Sequence, residues 1–403
     1  MIIRICYFTQ KGKETADKLI ENSDNLVAVV RDPEIPLKEW TQEGFAKHLP
    51  VLFVGACGIA VRTIAPFVKD KLVDSPVLVM DELGEYVIPI LSGHMGGANE
   101  LARKIADRMG ATAVITTATD LEKKFSVDVF AKENGFRIWN RDGIRVVSSK
   151  LLRGEKVTVA INESIMANTN ECLLETLNEK DIAAMEESDT PSMPGFPEEL
   201  ELVSVDAPFA DIRIVADMKN EDAKIECDKA DSEKTDSEKT DSEKTDSVKK
   251  CDGKNGNENG EQSILLVAKK YVLGIGCRKG KSFEELKAFV TKYCPFSIEQ
   301  DCIGIASIDL KKQEIGLLEL SAYYHLPFLT YSAEELKEVQ GEFSKSEFVA
   351  EVTGVSNVCE RSAIKAAGEN GKLIIHKIAE DGMTLAVAER KPCIHTWETG
   401  ESH

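Results

Sequence analysis

Between Asp231 and Thr245 the pentapeptide Asp-Ser-Glu-Lys-Thr occurs three times in succession, and Asp252-Gly-Lys-Asn-Gly-Asn-Glu-Asn-Gly follows soon after. The unit holds no apolar side chain to bury, and a period of five matches no solenoid or propeller. No single core can run through such a tract, so the chain is expected to fold on either side of a disordered acidic tether over 217–262. The same tract explains the charge. Lys plus Arg minus Asp plus Glu is +1 for residues 1–160, −17 for 161–262 and −3 for 263–403, out of a net −19. The two folded flanks are near neutral and show no clustered basic residues interleaved with aromatics, so nucleic acid is not an expected partner.

The 403 residues suffice for two or three cores at about 150 residues each. A content of 42% apolar and 30% charged residues excludes wholesale disorder, collagen and coiled coil. The longest uncharged apolar stretch, Val51 to Val61, contains two glycines and is far below the roughly 20 residues that span a bilayer, so no membrane helix is expected. The opening Met1-Ile-Ile-Arg-Ile-Cys-Tyr-Phe reads as a first strand and not as a leader. The ten cysteines include no CxxC pair and no two closer than eight residues, which argues against a zinc or iron–sulfur motif. Reduced thiols in a cytoplasm are the expectation. No two of the six histidines stand at i, i+4, so no metal site is expected from them.

Short apolar runs alternate with amphipathic segments from residue 1 to 134: strands at 2–8, 26–30, 51–54, 77–80, 86–91 and 112–116, helices at 11–21, 37–48, 57–68 and 97–110. This predicts a multi-domain α/β fold whose N-terminal sheet is mostly parallel with helices on both faces. Residues 135–216 form a small central α/β domain, 263–390 a C-terminal α/β domain with an antiparallel edge closing across Glu380-Asp-Gly, and 391–403 a tail. Ligands of parallel sheets collect beyond the carboxyl ends of strands, so the loops there are the places to search.

Three such loops stand out in the first domain. Leu91-Ser-Gly-His-Met-Gly-Gly-Ala-Asn-Glu runs from a buried strand through glycines into a helix expected to be capped near Asn99. Gly93, Gly96 and Gly97 let backbone approach a ligand, amides at a helix start favour a carboxylate or phosphate, and His94 could move protons near neutral pH. A tight turn beside a solvated histidine is the competing reading. Val54-Gly-Ala-Cys-Gly-Ile-Ala-Val-Arg repeats the plan, with Gly55 and Gly58 in the turn and Arg62 as a candidate carboxylate ligand. Ile115-Thr-Thr-Ala-Thr-Asp places Thr116, Thr117, Thr119 and Asp120 at a third strand end, as site or as helix cap.

In the last domain Leu273-Gly-Ile-Gly-Cys-Arg-Lys-Gly-Lys-Ser imitates a dinucleotide fingerprint and a P-loop and satisfies neither, its third glycine falling at 280 and its Gly276–Gly280 interval being one residue short. An anion-binding turn of Gly276, Cys277, Arg278 and Lys279 survives, with Ser307 and Lys311 after a neighbouring strand. Cys277, beside two cations, is either a thiol of lowered pKa or a small buried thiol.

Together these segments resemble a known family. Val54-Gly-Ala-Cys-Gly-Ile-Ala-Val-Arg, Lys71-Leu-Val-Asp, Leu91-Ser-Gly-His-Met-Gly-Gly-Ala-Asn-Glu-Leu-Ala and Ile115-Thr-Thr-Ala-Thr-Asp are similar to the N-terminal part of the CbiG family of cobalamin biosynthesis, the cobalt-precorrin-5A hydrolases. Val272-Leu-Gly-Ile-Gly-Cys-Arg-Lys-Gly, Ala306-Ser-Ile-Asp-Leu-Lys-Lys-Gln-Glu and Thr353-Gly-Val-Ser-Asn-Val-Cys-Glu-Arg-Ser-Ala are similar to its C-terminal domain. The resemblance implies opening of the δ-lactone of an anionic tetrapyrrole and loss of acetaldehyde. Cobalt would be carried by the substrate and no cofactor by the protein, with transient contact to neighbouring pathway enzymes. On that reading His94 is the base, Gly96 and Gly97 amides or Arg62 the oxyanion donors, and Asp120 a second acid–base or orienting group. Ser92, Asn99, the threonines and the C-terminal turn would bind substrate. A C-terminal-like domain occurs alone in aerobic relatives of the family, which implies chemistry in residues 1–134. A non-catalytic corrinoid carrier and a nucleotide-dependent regulator are the competing classes.

Overall fold

The computed structural model describes residues 2–23, 25–70, 73–93, 96–117, 124–176, 195–218, 263–344, 351, 353–368 and 370–397. The acidic repeat, Lys71, His94, Thr119 and Asp120 lie outside the described residues.

The first sheet has the order β2-β1-β3-β4-β5-β6, built from β1 (Ile2–Tyr7), β2 (Val27–Val30), β3 (Val51–Val54), β4 (Val77–Met80), β5 (Tyr86–Leu91) and β6 (Thr112–Ala113). Its neighbours run parallel except β4 and β5. Strand side chains alternate between faces, and the sequence uses both. Ile3, Ile5, Leu52, Val54, Leu78 and Met80 meet α1 (Gln10–Glu21) and α4 (Ala98–Met109) on one face. Cys6, Val51, Phe53, Val77 and Val79 meet α2 (Leu37–Ala46) and α3 (Cys57–Ile64) on the other. A sheet sealed on both sides can offer ligands only its two ends, because each buried Ile, Leu or Phe contributes about 1.5–3 kcal/mol that exposure would forfeit.

A second sheet, in the order β7-β11-β10-β8-β9, combines β7 (Phe136–Ile138), β8 (Val157–Ile161), β9 (Leu200–Val203), β10 (Ile212–Val215) and β11 (Ile264–Ala268). Around it are α5 (Val127–Glu133), α6 (Asp142–Leu152) and α7 (Glu163–Thr176). The strand Ile264–Ala268, which follows the acidic repeat, pairs parallel with β10 and antiparallel with β7 and so joins this sheet.

The third sheet has the order β14-β13-β12-β16-β15, from β12 (Tyr271–Cys277), β13 (Cys302–Ile308), β14 (Phe328–Tyr331), β15 (Lys372–Glu380) and β16 (Met383–Glu389). Its helices are α8 (Phe283–Tyr293), α9 (Ile298–Asp301), α10 (Ile315–Tyr323), α11 (Ala333–Glu338) and α12 (Cys359–Ala367). The antiparallel edge predicted for this domain is present: β12, β16 and β15 alternate in direction. Asp381 and Gly382, both with positive φ, make the two-residue hairpin turn.

The chain forms two compact units. One comprises Met1–Glu122 with Lys269–Lys391, the other Lys123–Ala268 with Pro392–His403. Within the first unit, Ile2 and Leu49 bury apolar surface with Leu318 of α10, and Lys47 pairs with Glu319 at 3.1 Å. The first and third sheets, far apart in sequence, are thus joined by an apolar contact.

Candidate active site

The bend that follows β5 is held by its own atoms. Ser92 takes a positive φ of 57°, is buried, and donates its hydroxyl to the Asp74 carbonyl at 2.8 Å. The Ala98 and Asn99 amides return to the carbonyls of Ser92 and Gly93. A side chain at 96 would put its Cβ 2.5 Å from that of Ser92, and one at 93 would meet the Asn99 amide oxygen at 2.7 Å. Glycine is therefore demanded at both by close approach. The helix cap is Gly97, in the left-handed region at φ 80°, and not Asn99 as the sequence suggested. Asn99 instead sits one residue inside α4, buried, and donates its amide to Thr117 Oγ1 at 3.0 Å. Among the described residues no hydrogen bond takes up the Gly96 or Gly97 amide. The bend therefore uses two helix-start amides for itself, and the other two lie outside its network among the described residues.

The second bend lies elsewhere. Gly55 follows β3, its amide bonded to the carbonyl of Met80 at the last residue of β4. Leu91 pairs with Val77 at the first residue of β4, because β5 runs antiparallel. The two bends are thus at opposite ends of a four-residue strand, about 10 Å of sheet between them. Arg62 lies in the last turn of α3, exposed, with Gly58 beside its guanidinium on that far end. The structure brings Ser92, Gly93, Gly96, Gly97, Asn99 and Thr117 together and separates Gly55, Gly58 and Arg62 from them. Thr116 follows β6 on the chain toward Thr117, and the expected strand 112–116 is paired only over Thr112–Ala113. A signal for this separation was present in the sequence. Only residues 81–85 join β4 to β5, and a parallel crossover needs a dozen or more. Asp81 accepts amides from Leu83, Glu85 and Tyr86, which shapes that short hairpin.

Asp74, present in the sequence as the end of Lys71-Leu-Val-Asp, holds the Ser92 bend, which charge alone did not indicate. It is buried, its carboxylate accepts the amides of Lys69 and Asp70, and its carbonyl receives Ser92. The preceding Val73 carbonyl meets His48 Nδ1 at 2.7 Å, and the His48 ring lies 4.3 Å from that of His325, after α10. A short run of contacts therefore leads from the Ser92 bend to the third sheet, which adjoins this end of the first sheet.

The turn after β12 resolves differently. A Cβ at 274 would overlap the Cys359 carbonyl of α12, and one at 276 would lie 2.6 Å from Thr384 Oγ1 on β16. Both glycines are explained by packing, which removes the main support for a nucleotide motif. Gly280, at φ 82°, donates its amide to Glu314 Oε1 at 2.6 Å, and Glu314 also pairs with Lys311. The turn does bind an anion, and the anion is the protein's own carboxylate. Ser282 and Glu285 form a capping box on α8. Hydrogen bonds from Lys281 and Ser282 hold the Glu285 carboxyl at about 2. Ser307 is fully buried and donates to the Ile275 carbonyl at 2.6 Å. Burial pushes the Cys277 thiol up to about 11, opposite to the lowering that its basic neighbours suggested. Arg278 and Lys279 are exposed, the Arg278 stem against Gly382.

Residues 39–120 match the family described as Cobalamin synthesis G N-terminal, and residues 271–388 match Cobalamin synthesis G C-terminus. The chain is 28% identical over 353 residues to a cobalt-precorrin-5A hydrolase of Salmonella typhimurium, covering 86% of this chain and 83% of the relative. It is 28% identical over 348 residues to a cobalt-precorrin-5A hydrolase of Priestia megaterium, covering 85% and 79%. Over 120 residues it is 30% identical to Protein CobE of Sinorhizobium sp, covering 29% of this chain and 78% of that protein. The Ser92 bend falls within the first family match and the Gly280 turn within the second.

Proposed function

Because the chain belongs to the cobalamin synthesis G family, with its N-terminal and C-terminal parts both represented, we propose that it is a hydrolase of cobalamin biosynthesis acting on cobalt-precorrin-5A. Water, deprotonated by His94, adds to the δ-lactone carbonyl, and the Gly96 and Gly97 amides receive the developing oxyanion. The acyl–oxygen bond then breaks to give a carboxylate and an alkoxide. The alkoxide collapses to acetaldehyde, its carbon–carbon bond to the macrocycle breaks, and the electron pair stays with the ring of cobalt-precorrin-5B. Asp120 orients the base or returns its proton. Arg62 is not assigned to this step, because its guanidinium adjoins Gly58, in the bend at the opposite end of β4.

The observation that carries this reading is the meeting of Gly93 and Thr117 around Asn99, with Gly96 against Ser92, in the stretch of chain that also holds His94 and Asp120. The cobalt travels with the substrate, and the protein supplies amides, an imidazole and a carboxylate without a cofactor. The third sheet, through Arg278 and Lys279, would receive the carboxylate arms of the macrocycle. A cytoplasmic reaction without nucleic acid or membrane remains the expectation from composition, and transient contact with neighbouring pathway enzymes remains what the family resemblance implies.

Anaerobic incubation of the full chain with cobalt-precorrin-5A, with trapping of the aldehyde, tests the proposal. Acetaldehyde in proportion to substrate consumed is the expected result, and His94→Ala and Asp120→Asn should each cost at least about a hundredfold in kcat. Tight corrinoid binding without aldehyde would make the protein a carrier instead, and wild-type rates in both variants would remove the two residues from the chemistry.

A further inference from the structure

The second unit contains a thiol pair that the lactone chemistry does not use. Cys172 on α7 and Cys393 in the segment after β16 stand with their sulfurs 3.0 Å apart, closer than non-bonded sulfur atoms ordinarily rest. His395 Nε2 lies 3.5 Å from Cys393 Sγ. The segment is held against the same unit by other contacts: Asn168 donates to the Pro392 carbonyl, Thr169 Oγ1 accepts the Ile394 amide, and Asn134 receives the amides of His395 and Thr396. Trp397 stacks on Phe130 with ring centroids 4.9 Å apart. Both sulfurs are therefore positioned by neighbours that do not depend on a bond between them, and closing to bonding distance needs only a small side-chain rotation. Among the described residues no group of three His, Cys, Asp or Glu could hold a metal ion.

We propose that Cys172 and Cys393 are a reversible redox pair, a modification site at which a low-molecular-weight disulfide such as glutathione disulfide locks the C-terminal segment onto α7. Cys172, partly exposed, attacks the external disulfide; that bond breaks, a mixed disulfide forms and one thiolate leaves, taking up a proton. Cys393, which is 3% exposed, passes its thiol proton to His395 Nε2 and attacks the Cys172 sulfur, releasing the second small thiol. Two protein thiols are oxidised and one external disulfide is reduced to two thiols.

The test treats the full chain, in a Cys227→Ser/Cys251→Ser background, with glutathione disulfide, blocks remaining thiols by alkylation and maps peptides without reduction. The expected result is a dominant Cys172–Cys393 cross-linked peptide. The 221-residue separation should also make the oxidised chain run faster on a non-reducing denaturing gel. Both signals should disappear in Cys172→Ser and in Cys393→Ser and reverse with dithiothreitol. A stable glutathione adduct on Cys172, full alkylation of both thiols after oxidation, or cross-links mainly to other cysteines would each overturn the proposal. The same mapping on the unsubstituted chain decides even if a serine variant fails to fold.

Discussion

The bend after β5 and the turn after β12 share a plan of strand, glycines and helix start, yet they satisfy their polar groups in different ways. At the first, a buried serine and a buried asparagine fix the backbone, and the Gly96 and Gly97 amides remain outside that network. At the second, Glu314 occupies the Gly280 amide and the upstream glycines accommodate α12 and β16. A glycine-rich loop therefore indicates only that backbone comes close to something. Whether that something is a ligand or the protein itself is decided by what fills the loop.

The contrast can be broken or sharpened by substitution, most severely at Gly274. Gly274→Ala forces a methyl group into the Cys359 carbonyl, so a loss of about 3 kcal/mol in urea unfolding is expected, with activity falling only as folded protein falls. A variant as stable as the parent would mean that α12 does not need the close approach.

The next largest effect separates Gly96 from Gly280. Gly96→Ala should reduce kcat/KM about a hundredfold in the aldehyde assay, because the clash with Ser92 displaces an amide assigned to the oxyanion. Gly280→Ala meets no atom within 4 Å and faces only the cost of its positive φ, about 1 kcal/mol, leaving kcat near the parent value. Equal losses of kcat in the two variants would erase the distinction.

Glu314→Gln tests whether the C-terminal turn, relieved of its internal anion, takes an external one. With one negative charge fewer beside Lys311, KM for the anionic substrate should fall about threefold; an unchanged KM would place the turn away from the substrate.

The smallest effect is on acid stability. The Glu285 carboxyl is lowered from the usual 4.5 to about 2 by its hydrogen bonds in the folded state. Its contribution is thus present above about pH 4.5 and is lost as pH falls toward 2. Glu285→Gln should melt below the parent at pH 6 and converge with it near pH 2. A constant gap across that range would assign the difference to the altered cap and not to the charge.

Much of the molecule was legible before any coordinates, for local reasons. The alternating faces of Val51-Leu-Phe-Val and Val77-Leu-Val-Met determine which side chains meet which layer, and Ser282 with Glu285 signals the start of α8. The short strands 136–138, 200–203 and 328–331 were missed, as was α7, whose weak amphipathic pattern gives periodicity little to detect. The candidate site was legible as residue types and only partly as a place: the Ser92 bend gathers Asn99 and Thr117 as one strand-end cluster, while Gly55 and Arg62 belong to the opposite end.

By itself, the sequence determined the α/β class, the glycines that close approach demands and the family to which their motifs belong. Only the tertiary structure decided that β5 turns back against β4, that Ile264–Ala268 joins the second sheet, and that Met1–Glu122 and Lys269–Lys391 form one unit. An apolar strand has the same pattern whichever way it runs and whichever neighbour it meets. Its direction and partner come from hydrogen bonds and buried area contributed by residues far away in the chain.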